Sequence, residues 1–173
     1  MKTIHVNVLS KQSINMAIRN LNKYKAEIEQ KAIELAIRLA ENGAEIARIK
    51  LVEYGAVYSG DLLSQIGGYF SPTFNMGVIK VSSEYAAFIE FGTGPQGASS
   101  PHPSGNGTYR STGWFTAADG KPMDIMYGWQ PLVLGNGDII YYTEGQPAKP
   151  FMYDTARQLE RDFMTIAKEV FGK

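Results

Sequence analysis

Hydrophobic and polar positions change period several times along this chain. From Thr3 to Val8 they alternate, with Ile4, Val6 and Val8 on one side and His5 and Asn7 on the other, the spacing of a half-buried strand. Ser10 or Ser13 can then cap a helix. Ile14, Ile18 and Leu21 recur at helical spacing, and after Asn22 and Lys23 the pattern resumes through Ile28, Leu35, Leu39 and Ile46. The spacing predicts a short helix running into a long one that ends near Tyr54-Gly55. Glu27 with Lys31 and Glu34 with Arg38 stand four apart in the favoured order, which marks a solvated face. Ile33, Ala36, Ile37 and Ala40 widen the apolar side beyond a coiled-coil seam, so this helix is expected to lie across a sheet and touch a second surface.

Gly60 to Ser82 reads as strands. Leu62, Leu63 and Ile66 lead to Gly67-Gly68, and Tyr69-Phe70 and Val78 to Val81 flank the turn-prone run Ser71 to Gly77, so a β-hairpin is expected. Glu84 to Phe91 is a short helix closed by Gly92, Asp138 to Thr143 a further strand, and Phe151 onward the closing helix. The fold class is α+β: an antiparallel sheet packed by a long N-terminal helix and a C-terminal helix.

Composition adds one feature. Residues 92–137 hold 10 of the 18 glycines and 5 of the 8 prolines. This predicts an extended Gly/Pro-rich loop or arm within a single domain, 1–173, and long loops of that kind are functional or become ordered on a partner. Seventeen basic residues balance seventeen acidic ones and Cys is absent. A bulk electrostatic nucleic-acid binder, a disulfide scaffold, a Cys-ligated zinc site and a thiol nucleophile are excluded. By thirds the charge varies little, with no basic or acidic tail. The opening residues lack a secretory apolar region and no run could span a bilayer, so a chain made in the cytoplasm, with no membrane partner, is expected.

Candidate chemistry is sparse. His5 on the polar side of the first strand and His102 between Pro101 and Pro103 are both expected at the surface, and a Gly/Pro-rich loop is a poor platform for Ser-His-acid catalysis. No phosphate-binding, dinucleotide, zinc-protease or EF-hand motif occurs. Asp119 and Asp124 read as solvated loop acids. No catalytic residue, metal or cofactor is expected. Tyr109, Trp114, Phe115, Tyr127 and Trp129 make the loop region unusually aromatic. Such rings either stack on sugars, as in a carbohydrate-binding tail-tip module, or anchor the arm against a neighbouring subunit. The second use is preferred, because aromatics give large contact area at low entropic cost.

Three stretches, in order, resemble the phage tail-completion family, the lambdoid gene-product-ten-like head–tail joining or neck proteins. The first is Val57-Tyr58-Ser59-Gly60-Asp61-Leu62-Leu63-Ser64-Gln65-Ile66, in which Gly60, Leu62 and Ile66 match and Ser59 stands for Thr. The second and most specific is Tyr85-Ala86-Ala87-Phe88-Ile89-Glu90-Phe91-Gly92-Thr93, matching at Tyr85, Ala86, Glu90, Gly92 and Thr93. The third runs from Gln146 to Ala156, with Pro147, Pro150 and Phe151 in place and Asp154 where the family has Pro. The connection between the second and third stretches is longer than the family requires. The resemblance implies a structural virion protein rather than an enzyme, a ring of identical subunits, with a hexamer expected, at the neck or the top of the tail. Its partners would be the connector or stopper, the tail terminator and the tail tube, with DNA only as passing cargo; a tail terminator or head-closure stopper is the nearest alternative. The motif residues themselves are expected to hold the fold. Gly60 and Gly92 suit positive φ at element ends, and a carboxylate at Glu90 needs partners if buried.

Overall fold

The structure, a computed structural model, describes residues 3, 5–57, 60–105, 107–117 and 129–172. Its elements are α1 (Lys11–Glu53), α2 (Asp61–Ser64), β1 (Ile66–Ser71), β2 (Met76–Val81), α3 (Ala86–Phe91), α4 (Gly94–Ser99), β3 (Trp114–Ala117), β4 (Pro131–Val133), β5 (Ile139–Thr143) and α5 (Phe151–Phe171). The α+β class holds: the long first helix and the last helix pack on antiparallel β structure. That structure is divided into two sheets, the hairpin β1-β2 and a three-stranded sheet in the order β3-β5-β4.

The first expected strand does not form. Among the described residues of 3–10 there is no strand, and His5, Val6 and Val8 are exposed. Local bonds take the place of a ladder: Asn7 accepts from the Leu9 N–H, Asn7 N–H donates to Ser13 Oγ, and Ser10 accepts from the Ser13 N–H as the N-cap of α1. Short polar side chains that bond nearby backbone in this way compete with strand pairing. Nor does α1 break at Asn22-Lys23. It is one helix of 43 residues, since neither residue costs more than a few tenths of a kcal/mol in a helix, about 0.7 at most. Leu62 and Leu63, read as strand, sit in the single helical turn α2, which follows the positive φ of Gly60 (81°) and in which Ser64 Oγ donates to the Asp61 carbonyl.

The core gathers Ala44, Ala47, Leu51, Ile66 and Phe151, with Leu62, Leu63, Ile79, Ala86 and Ile89 packed against them. Phe151 is fully buried, which stabilises the fold by roughly 2 to 3 kcal/mol. The face of α1 toward the hairpin is made of small residues, and the hairpin answers with glycine. A side chain at Gly68 would meet the Ala40 carbonyl and one at Gly77 the Ala36 carbonyl, so the helix lies directly on the backbone of the two strands. Arg48 fixes the lower end by donating to the carbonyls of Leu63 and Ile66. On its other side α1 packs against α5, from Tyr54, whose hydroxyl donates to Asp154 at 2.6 Å, to Lys31, which lies over the Phe171 ring.

The Gly/Pro-rich segment carries elements that its composition hid: α4, β3 and β4 all fall within 92–137. β5 pairs with β3 (Trp114↔Thr143 to Ala117↔Ile140) and with β4 (Pro131↔Tyr141 to Val133↔Ile139), both antiparallel.

Candidate functional site

The second and third motif stretches meet at the amino end of α5. α3 ends at Gly92, which takes φ 74° to turn the chain. Thr93 then bridges to Gln146, each donating its N–H to the other's carbonyl at 2.8 and 3.1 Å, and the Lys149 N–H donates to the Ile89 carbonyl. Gly92 admits no side chain here, because a Cβ would lie within 2.6 Å of the Ala148 nitrogen.

This junction places Glu90 under a helix that has no cap of its own. Pro150 occupies the N-cap position of α5 and offers no side-chain acceptor. Glu90 supplies it from another element: Oε2 accepts from the Met152 N–H at 2.8 Å and Oε1 from the Tyr153 N–H at 2.9 Å. Two of the orphan donors of α5 are thereby satisfied, and the negative charge sits at the positive end of the helix dipole.

His102 completes the group and overturns its expected surface position. It is 5% exposed, held between the ring of Phe91 (centroids 4.7 Å apart) and that of Tyr153 (5.4 Å, edge to face). Its Nε2 lies 3.0 Å from Glu90 Oε1. Nδ1 accepts from the Ser104 N–H at 3.1 Å, and the Ser104 hydroxyl lies 2.6 Å from the same nitrogen. With Nδ1 as acceptor, Nε2 carries the proton and donates to Glu90; this tautomer is assigned from the bonding pattern. The flanking prolines, which bar most helical backbone at neighbouring positions, were the available sign that this short segment is not slack.

Carboxylate, imidazole and hydroxyl in series have the composition of a hydrolytic triad, with the two ring nitrogens exchanged. The Ser104 N–H and hydroxyl both approach the Nδ1 lone pair, and both oxygens of Glu90 already accept from the first turn of α5. An open groove lined by Asn42, Glu45, Ile46, Asp162, Thr165 and Ile166 shares no residue with the network. Among the described residues no group of three or more His, Asp or Glu could hold a metal ion, and no helix is long and apolar enough to cross a membrane.

The aromatic residues expected at an interface differ in exposure. Tyr109 is enclosed by Gly97 and Gly107, donates to the Phe91 carbonyl at 2.9 Å and accepts from the His102 N–H. Trp114 is half-buried against Gly94, with the Arg110 guanidinium 5.4 Å from its ring. Trp129 is half-buried and Tyr127 lies outside the described residues, as do Asp119 and Asp124. Phe115 alone of the described set is open to solvent, 58% exposed and edge to face with its ladder partner Tyr142.

Compared with protein-family models, with curated proteins and with solved structures, the chain matches none.

Proposed function

We propose that the chain is a structural, non-enzymatic virion protein of a tailed bacteriophage or prophage, a tail-completion or head–tail connector component that forms a ring at the neck or the top of the tail. The observation that carries this reading is the convergence of the three family-like stretches. Leu62 and Ile66 from the first pack with Phe151 from the third, while Glu90 from the second caps the helix that Phe151 opens. Motif residues scattered over some ninety positions of sequence thus serve one junction, as expected of a fold signature rather than of chance matches. Many large apolar side chains outside that junction are exposed, among them Leu21, Phe115 and Met164, which suits a subunit completed by neighbours.

The ring is expected to be a hexamer, its neighbours the connector or stopper, the terminator and the tail tube, with DNA only passing through. A tail terminator or head-closure stopper is the nearest alternative, separated by position in the particle. A sugar-binding tail-tip module is less favoured, because Trp114 is covered on one side by Gly94 and Arg110 rather than open for stacking.

The test is to induce particles from a host carrying the gene and from one lacking it. Tagged protein at the head–tail junction, and unjoined heads and tails in its absence, are expected. Infectious, joined particles without the gene would overturn the proposal.

A further inference from the structure

The amino-terminal part of α1 is largely exposed. Lys31 lies over the Phe171 ring at the end of α5, and residues 11–30 before it form a helix about 30 Å long. Within that stretch Ala17 is the one residue buried, among the described residues, and Ile14, Ile18, Leu21 and Ile28 form an open apolar stripe along one side, Leu21 being 55% exposed. Most of the stability of a helix in a protein comes from packing of its amphipathic face. The arm therefore has a face made to be covered.

Its charge says by what. Residues 11–30 contain four basic residues against two acidic ones, Glu27 and Glu29; residues 31–173 have twelve basic against fifteen acidic. A neutral protein thus carries a net charge of +2 on the arm and −3 on residues 31–173, a division that counting by thirds conceals. The helix dipole does not account for it, since helix amino ends favour acids, and the first turn of α1 has none. Lys11, Arg19 and Lys23 form no ion pair among the described residues.

We infer that residues 11–30 are an intermolecular arm that docks on the acidic body of a second copy of this chain, in the groove between α1 and α5. That groove has the half-buried Ile46 for the apolar stripe and the acidic Asp162 and Glu45 for the basic side chains, with no basic residue among the lining residues, although Glu45 also pairs with Arg48 at 3.2 Å. The contact has to be between copies. Arm and groove residues Asn42, Glu45 and Ile46 belong to the same unbroken helix, so an arm cannot fold back onto its own groove without breaking α1. An arm-to-groove contact is heterologous, the kind that closes into a ring when its rotation allows. The inference deepens the self-association in the proposed function and stands apart from any role in a phage.

Light scattering and sedimentation of the full chain decide it. Self-association is expected at about 50 mM salt and weaker at about 500 mM. The pair Arg19→Glu and Lys23→Glu, on the exposed arm, should weaken it about tenfold or more with unchanged circular dichroism. A chain with Glu45→Lys and Asp162→Lys should be similarly deficient, and mixing the two should restore assembly, because each arm then meets a groove of opposite sign. If the groove variant fails to fold, salt and the arm variant still decide. Association untouched by the arm reversal would overturn the inference while leaving the proposed function standing. A chain that stays monomeric at all concentrations and binds phosphatidylcholine–phosphatidylglycerol vesicles would overturn it in favour of an anionic membrane surface. Arm-dependent assembly of a protein absent from particles would instead retain the inference and remove the phage role.

Discussion

Glu90 accepts from the backbone N–H of Tyr153 at 2.9 Å, so the last helix begins on a carboxylate that α3 supplies. Three donors depend on that one side chain: the N–H groups of Met152 and Tyr153, and His102 Nε2. Glu90→Ala leaves all three without an acceptor in a buried site and should destabilise the protein by about 3 kcal/mol. Glu90→Gln keeps one carbonyl oxygen and should cost less. Urea unfolding of the two variants checks the order; equal stability of Glu90→Ala and wild type would remove the capping role.

Ser104 separates a structural network from a catalytic one. If its hydroxyl only closes the turn beside His102, Ser104→Ala costs about 1 kcal/mol or less, since the backbone N–H still reaches Nδ1. A general serine-directed phosphonate probe should leave the wild-type protein unlabelled. Stoichiometric labelling at Ser104 would contradict this.

Gly68 tests the approach of α1 to the hairpin. An added Cβ would run into the Ala40 carbonyl and come within 2.9 Å of the Glu41 nitrogen, backbone atoms that cannot rotate aside. Gly68→Ala should therefore lower stability by about 2 kcal/mol. Gly67→Ala next to it meets nothing within 4 Å and should be far milder. Thermal melts of the pair give the comparison.

Tyr54 gives a pH signature. Burial first, then its hydrogen bond to Asp154 and the charges of Asp154, Glu90 and Glu53, push its hydroxyl up to about 12. A raised value in the folded state means that the stabilisation is complete below the unfolded value, about 10. It is lost as pH rises from there through the folded value, because the unfolded chain releases the proton first. Tyr54→Phe should cost about 1 kcal/mol near neutrality, and that deficit relative to wild type should shrink between pH 10 and 12. A deficit that does not change over this range would show that the Asp154 bond does not govern the ionisation.

The sequence disclosed what depends on local period and hid what depends on distant partners. The hairpin, α5 and, apart from its expected break at Asn22-Lys23, α1 follow from apolar spacing and turn residues; Gly92 closing α3 is visible because only a positive φ suits that turn. Thr3 to Val8 has perfect alternation yet no ladder, since alternation says nothing about whether a partner strand is near, and Asn7, Ser10 and Ser13 offered nearer bonds. His102 looked peripheral because its partners are twelve residues back at Glu90 and some fifty ahead at Tyr153. The aromatic residues were legible as a group by composition alone, whereas the different exposure of Trp114 and Phe115 follows from β3, where alternation turns Trp114 inward and Phe115 outward. The polarity of charge between arm and body was present in the sequence from the start. What it lacked was how exposed the amino-terminal part of α1 is.

The long excursion between the second and third motif stretches is shut off twice. Thr93 and Gln146 close it at the base, and Trp114 with Thr143 close it again one layer out. His102 and Tyr109, which serve the α5 junction, lie between the two seals. Of the described residues, 115–117 and 129–142 lie beyond the outer one. The two closures therefore let the chain between the second and third motif stretches carry a sheet of its own, with Tyr141 buried in it, while the α5 junction keeps its register.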